Sequence, residues 1–167
     1  MPGETQISHE QPTRYTMGIC KPGSPAGELK QLGQPMVVPV TAEHQVIQAW
    51  QTVRTLAESD GFGRVVTYYV VTSVAELANN LVLHASRGGT ISMVLVRQGD
   101  RKGIEVVAED DGPGIADISQ ALQDGFSTIG GMGSGLPGVV RLMDECEITS
   151  TLGSGTRVVA RKWQPCR

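Results

Sequence analysis

The sequence lacks several features that would assign it to a membrane, secreted or metal-binding class. Its 167 residues contain no run of about 18 apolar residues, so there is no candidate membrane span. The first 35 residues lack the apolar core of a secretion signal. The three cysteines, Cys20, Cys146 and Cys166, are far apart and lack the C-x-x-C spacing of a zinc site. We therefore expect a cytoplasmic protein with free thiols.

The sequence also lacks a large excess of charge of either sign. Its net charge of -3 gives no reason to expect binding to nucleic acid or to an anionic membrane. Hydrophobic residues make up 40% and charged residues 19%, which is typical of a globular protein. The length suffices for one domain with a sizeable core and is too short for two ordinary domains.

The first 35 residues differ from the rest of the chain. They show no apolar period, and they contain Pro2, Pro12, Pro22, Pro25 and Pro35. We predict that residues 1–35 form a disordered or loosely attached extension and that residues 36–167 form the folded domain.

Helices and strands alternate within the predicted domain. The pattern predicts helices over residues 42–59, 64–86, 118–122 and 136–143, and strands over residues 36–40, 90–97, 103–109, 147–152 and 156–163. Thr41 is expected to cap the first helix, with His44 at position N3. This mixture indicates an α+β fold with helices on one face of a sheet.

The segment 64–86 carries two competing signals. Residues 65–72 are rich in valine, threonine and tyrosine, which favour a strand. However, one helical stripe contains Val66, Val70, Val74 (or Ser73), Leu77 and Leu81, and the following residues favour a helix. We therefore predict one long buried helix.

Two polar residues of this helix, Glu76 and Asn80, are four positions apart and share one face. An amide oxygen is a suitable ligand for Mg²⁺, and a carboxylate can act as a base or orient water. Taken alone, the pair is also compatible with an ordinary exposed polar face.

A D-x-G-x-G motif, Asp110 to Gly114, directly follows a predicted strand. A carboxylate at a strand end can accept a hydrogen bond from a ligand's amino group, and Gly112 and Gly114 allow backbone and ligand to approach closely. Taken alone, the motif is also compatible with an ordinary turn.

Glycine is concentrated in the segment G-G-M-G-S-G-L-P-G, residues 130–138. Such density is costly in chain entropy, which argues against a filler loop. The segment leads into a helix N-terminus, which favours phosphate, so we predict a flexible loop over a triphosphate. Its G-x-G-x-x-G match lacks the preceding strand and the later acidic residue of a dinucleotide-binding fold, and no Gly-Lys pair forms a P-loop.

The order of these motifs, completed by G-S-G-T at residues 153–156, resembles the GHKL ATPases. The resemblance is closer to the RsbT-type switch kinases in the segments A-E-L-A-N-N (75–80), A-E-D-D-G-P-G-I (108–115), D-G-F-S-T (124–128) and G-L-P-G-V-V-R-L-M-D-E (135–145). It covers about residues 37–163. It implies a two-layer α/β sandwich with helices on one face of a mixed sheet, and an ATP-dependent serine/threonine kinase.

The resemblance also implies roles for single residues. Asn80 would ligate Mg²⁺ on the ATP phosphates, and Glu76 would orient or deprotonate the acceptor hydroxyl. Asp110 would bind the adenine amino group, with Gly112 and Gly114 shaping that pocket.

Further positions follow from the same resemblance. Gly131, Gly133 and Gly135 would form a phosphate lid, and Thr156 would lie under the adenine. His84 stands where related kinases also carry histidine, with its role open. The cofactors would be ATP and Mg²⁺.

The partners implied by the family are a STAS-domain protein as phospho-acceptor and a PP2C-type phosphatase bound by the free kinase. Two other functions stay open: an anti-sigma factor that sequesters a sigma factor, and a non-catalytic ATP-dependent adaptor. A histidine-kinase ATP domain is not expected, because these residues include no dimerisation helix with a phospho-acceptor histidine.

Overall fold

The computed structural model describes residues 14–123 and 135–165. The strands in these ranges are β1 (Arg14–Cys20), β2 (Leu29–Gln31), β3 (Met36–Val40), β4 (Gly89–Gln98), β5 (Arg101–Asp110), β6 (Glu145–Thr151) and β7 (Gly155–Trp163). The helices are α1 (Glu43–Ser59), α2 (Arg64–His84), α3 (Ile118–Ala121) and α4 (Leu136–Leu142). The helices and strands from β3 onward agree with the predicted ones to within a few residues.

All of these strands belong to one sheet, with the order β1-β6-β7-β5-β4-β2. β2 and β3 lie one after the other along the same side of β4, because they pair with different parts of it. The expectation of a mixed sheet is wrong, since each strand pairing in the described ranges is antiparallel. The short turns of the β4–β5 and β6–β7 hairpins can join only antiparallel strands.

The helices cover one face of the sheet, as predicted, and α2 lies between α1 and α4 on that face. Val70, Val74 and Leu77 of α2 are at most 1% exposed. They pack with sheet residues such as Ile91 and Val106 in one continuous core. Burial of this stripe outweighs the strand propensity of the valine-rich segment, so the predicted long helix is confirmed. Within the described ranges, no helix is both long and apolar enough to cross a membrane.

The start of α1 lies one residue later than predicted. Ala42, not Thr41, is the N-cap, and Gln45, not His44, occupies N3. The Gln45 side-chain oxygen accepts hydrogen bonds from the Ala42 amide at 3.0 Å and from the Thr41 hydroxyl at 2.9 Å. The capping side chain therefore comes from N3, and the Thr41 hydroxyl acts as a donor.

Residues 14–31 do not form the disordered or loosely attached extension that was predicted for them. β1 pairs with β6 along its whole length, and β2 pairs with the far end of β4. Between them the chain crosses one end of the sheet, where Arg101 donates to the Gly23 carbonyl at 2.6 Å and Gln98 donates to the Gly27 carbonyl at 2.7 Å. Most β1 side chains are exposed. A strand held by backbone pairing, and burying few side chains, leaves no apolar period in the sequence.

The other face of the sheet carries an ion-pair network centred on Arg161 of β7. Arg161 binds Glu105 of β5 at 2.6 Å and Glu145 of β6 at 3.1 Å. The indole N–H of Trp163 donates to Glu145 at 2.9 Å. Burial alone would lower the pKa of Arg161, but the hydrogen bonds and charges of the two glutamates raise it above its usual value. The network joins three neighbouring strands in one register.

Candidate functional site

A cavity of about 510 Å³ lies between α2, the end of β5 and the segment that carries α3. Its walls are largely apolar, and they include Leu77, Leu81, Ile115, Leu136 and Val158. Its polar lining residues are Asn80, His84, Asp110, Asp117, Gln120 and Thr156. Apolar walls with a few convergent polar groups are typical of a site for a small organic ligand.

Asp110, the last residue of β5, lines this cavity. Its Oδ1 accepts a hydrogen bond from the Gly112 amide at 2.8 Å. In the described part of the chain its Oδ2 meets no protein donor. Gly112 is not a lining residue, but a Cβ there would lie 3.1 Å from the Cα of Ala85. Gly112 therefore lets the loop turn against the end of α2 and holds one carboxylate oxygen, while the other can serve a ligand.

Gly114 lines the cavity in a left-handed conformation, with φ of +77°. A Cβ at this position would lie 2.5 Å from the Thr151 carbonyl oxygen. Both the backbone conformation and the close approach to β6 therefore require glycine. The next residue, Ile115, donates its amide hydrogen to the Ser150 hydroxyl at 2.7 Å.

Thr156 also lines the cavity, and it stands beside Asp110 in the sheet because the two residues are register partners on β7 and β5. On its other side Thr156 is the register partner of Ser150 on β6. The two hydroxyls are hydrogen-bonded at 2.9 Å. Antiparallel register therefore brings the D-x-G-x-G and G-S-G-T motifs together at one end of the cavity.

Glu76 and Asn80 lie on adjacent turns of α2 but have different surroundings. Asn80 lines the cavity and is half-buried. Glu76 is 7% exposed and is not a lining residue. Its Oε2 accepts a hydrogen bond from the Gly135 amide at 3.0 Å. Since Gly135 lines the cavity and is the N-cap of α4, the Glu76 carboxylate is tied to the wall of the site.

The structure thus brings Asn80, Asp110, Gly114, Gly135 and Thr156 together around one cavity. Gly131 and Gly133, and the segment 124–128, lie outside the described residues.

Sequence reasoning missed Ser150, Asp117 and Gln120. Asp117 is the N-cap of α3, where its Oδ1 accepts from the Gln120 amide at 3.0 Å, and this capping pattern could have been recognised. A single serine within a strand carries no such signal.

The Mg²⁺ that the motifs imply can be tested against the side chains present. Among the described residues, no group of three or more His, Cys, Asp or Glu side chains could hold a metal. Asn80 offers one amide oxygen at the cavity. Mg²⁺ is commonly bound by one or two protein oxygens together with substrate phosphates. Asn80 therefore fits an ion that would bind together with the phosphates of a nucleotide.

Comparison with known proteins identifies relatives of this chain. The "Serine/threonine-protein kinase RsbT" of Bacillus subtilis (strain 168) is 44% identical over 126 residues, covering 75% of this chain and 94% of that protein. An "Anti-sigma F factor" of Thermoanaerobacter sp. (strain X514) is 34% identical over 99 residues, covering 56% of this chain and 68% of that protein.

The fold is also similar to a solved structure, that of the RsbU and RsbW domains of a Mycobacterium tuberculosis protein. The TM-score is 0.57 at 17% identity, over 81% of this chain and 34% of that longer chain. The family model described as "Histidine kinase-like ATPase domain" matches residues 38–162. The chain therefore belongs to the histidine kinase-like ATPase family, as its sequence motifs predicted.

Proposed function

We propose that this chain is an ATP-dependent serine/threonine protein kinase of a partner-switching module. The observation that carries the proposal is the convergence of Asn80, Asp110 and Thr156 on one cavity, in a chain 44% identical to an RsbT kinase. The cavity supplies a place for a nucleotide, and the similarity supplies the class of acceptor.

The end of the cavity at Asp110 and Thr156 suits the adenine base. The free Oδ2 of Asp110 can accept a hydrogen bond from the adenine amino group. The apolar walls, including Leu81 and Val158, would contact the faces of the ring. Gly114 holds the loop against the Thr151 carbonyl and would leave room for the ring, and Gly112 positions the carboxylate.

The phosphates would then extend toward Asn80 and the glycine-rich segment. Asn80 would hold Mg²⁺ through its amide oxygen, and the ion would neutralise phosphate charge. Gly131 and Gly133 would cover the phosphates as a lid, whereas the Gly135 amide is already donated to Glu76. Glu76, which is tied to Gly135, would orient or deprotonate the acceptor hydroxyl once a partner protein docks.

The acceptor we propose is a serine or threonine on a STAS-domain protein, and the freed kinase would bind a PP2C-type phosphatase. These partners follow from the resemblance to the RsbT-type kinases. The second candidate is direct sequestration of a sigma factor, which the similarity to an anti-sigma F factor favours.

The first test is phosphate transfer from labelled ATP, with Mg²⁺, to a purified STAS-domain protein. Asn80→Ala should lower transfer by about 100-fold or more, because nucleotide positioning is most of the catalysis. Asn79→Ala is the matched control, since Asn79 is the adjacent, exposed residue of the same helix. It should transfer phosphate at the wild-type rate.

The candidate functions are distinguished by the acid stability of the transferred phosphate and by the protein that the chain binds. Acid-stable label on the STAS protein supports the serine/threonine kinase. ATP binding without transfer to a STAS protein, together with capture of a purified sigma factor, would replace it by the anti-sigma function. ATP binding with neither result would leave a nucleotide-dependent adaptor.

A further inference from the structure

The Ser150 hydroxyl is buried behind the cavity and makes three contacts. The side chain is 1% exposed. Its Oγ lies 2.7 Å from the Ile115 amide nitrogen, 3.2 Å from the Gly155 carbonyl oxygen and 2.9 Å from the Thr156 hydroxyl oxygen. Through these contacts one serine joins the loop after β5 to the start of β7.

The direction of each hydrogen bond follows from counting protons. Ser150 has one O–H proton and two lone pairs. The Ile115 amide can only donate, and the Gly155 carbonyl can only accept. All three contacts are satisfied together when Ser150 donates to Gly155 and accepts from both Ile115 and Thr156. In the reverse arrangement, with Ser150 donating to Thr156, the Gly155 carbonyl loses this donor.

This arrangement decides what Thr156 offers to a ligand. Its proton is committed to Ser150, so toward the cavity its oxygen can only accept. The neighbouring Asp110 carboxylate also accepts only. A base with an amino group at this end is therefore favoured, and a base with a carbonyl oxygen there is repelled.

We propose that Ser150 is a positioning residue that gives the site its preference for a 6-amino purine over a 6-oxo purine. It acts through Thr156, by holding the Thr156 hydroxyl as an acceptor. The inference rests on the proposed nucleotide function and deepens it by naming a residue that selects the base.

The test compares ATP with inosine triphosphate, which has a carbonyl oxygen in place of the amino group at the same ring position. Titration calorimetry on the full chain gives the ratio of the two dissociation constants. The wild type should prefer ATP. In Ser150→Ala the Thr156 hydroxyl can rotate and donate to the carbonyl, so the preference should fall about tenfold, the usual effect of one hydrogen bond.

Two further variants show whether Ser150 acts through Thr156. Thr156→Val should lower the preference by a similar factor, and adding Ser150→Ala to it should change the ratio no further. Thr149→Ala removes a neighbouring hydroxyl that contacts Thr16, not the cavity, and should keep the wild-type ratio. If Ser150→Ala does not fold, an unchanged ratio in Thr156→Val still overturns the proposal.

The outcomes distinguish this inference from the function on which it rests. Wild type that binds neither nucleotide overturns both. Wild type that prefers ATP, with an unchanged ratio in Ser150→Ala or in Thr156→Val, overturns the role of Ser150 and leaves the nucleotide function standing. A loss of preference that is additive in the double variant also overturns it, because Ser150 would then act independently of Thr156.

Discussion

Substituting Glu76 by glutamine and by alanine should separate its proposed catalytic role from its structural contact with Gly135. Its carboxylate is 7% exposed and accepts the Gly135 amide at 3.0 Å. A hydrogen bond to a charged acceptor contributes about 1.5–3 kcal/mol, and a neutral one roughly 1 kcal/mol. Glu76→Ala removes the bond, whereas Glu76→Gln keeps an oxygen that can accept it. We expect losses of about 2 kcal/mol for alanine and about 1 kcal/mol for glutamine.

These losses of stability can be measured as decreases in the melting temperature. In a domain of this size, each kcal/mol corresponds to about 2–4 °C. Glu76→Ala should therefore melt about 4–8 °C below the wild type, and Glu76→Gln about 2–4 °C below it. Because general-base catalysis contributes about 10²–10⁴-fold, both variants should lose at least about 100-fold in phosphate transfer. Glu76→Gln should still bind ATP with nearly the wild-type dissociation constant.

Scanning calorimetry and the labelled-ATP assay check the two effects independently. Glu58→Gln is the control, because it neutralises a carboxylate of an exposed ion pair with Arg54 and should change neither quantity by much. Transfer by Glu76→Gln at near the wild-type rate would refute the base role. A wild-type melting temperature in Glu76→Ala would refute the structural role of the contact with Gly135.

Two further predictions concern the backbone of the site and the core. Gly114→Ala should weaken ATP binding at least about tenfold and lower the free energy of unfolding by roughly 1–3 kcal/mol, because φ is +77° and the new Cβ would press on the Thr151 carbonyl. Titration calorimetry measures the first effect, and urea unfolding measures the second. Burial raises the pKa of the Cys146 thiol from 9.0 to about 11. The contribution of this buried, neutral thiol to stability is therefore complete below pH 9 and is lost as the pH rises toward 11. Urea unfolding should show this decline, and Cys146→Ala should reduce it; an equal pH slope in both proteins would contradict the assignment.

The elements that bury a stripe of side chains were predictable from the sequence, and those that do not were missed. The stripe through Val70, Val74 and Leu77 identified α2 against the strand propensity of its first half. β1 has mostly exposed side chains and exists because β6 offers a free backbone edge. That edge is a property of the folded sheet, so no local pattern in residues 14–20 could reveal it.

The same distinction applies to the site. Asn80, Asp110, Gly114 and Thr156 belong to local motifs that can be read in the sequence, and all four line the cavity. Ser150 acquires its contacts only through the pairing of β6 with β7. Glu76 was expected to share its surroundings with Asn80, but α4 packs against α2 and provides the Gly135 amide to Glu76.

The row of register partners Asp110, Thr156, Ser150 and Tyr15 crosses four adjacent strands, β5, β7, β6 and β1. A shift of one residue in any of these pairings would turn a side chain to the opposite face. The positions of Asp110 and Thr156 in the wall of the cavity are therefore fixed by strand pairing, and they are lost only when the sheet itself unfolds. The backbone amides of these two residues should exchange hydrogen as slowly as the core. A ligand held there should raise the melting temperature of the whole domain by an amount that grows with the logarithm of its affinity, so thermal shift becomes a direct screen for nucleotides and inhibitors.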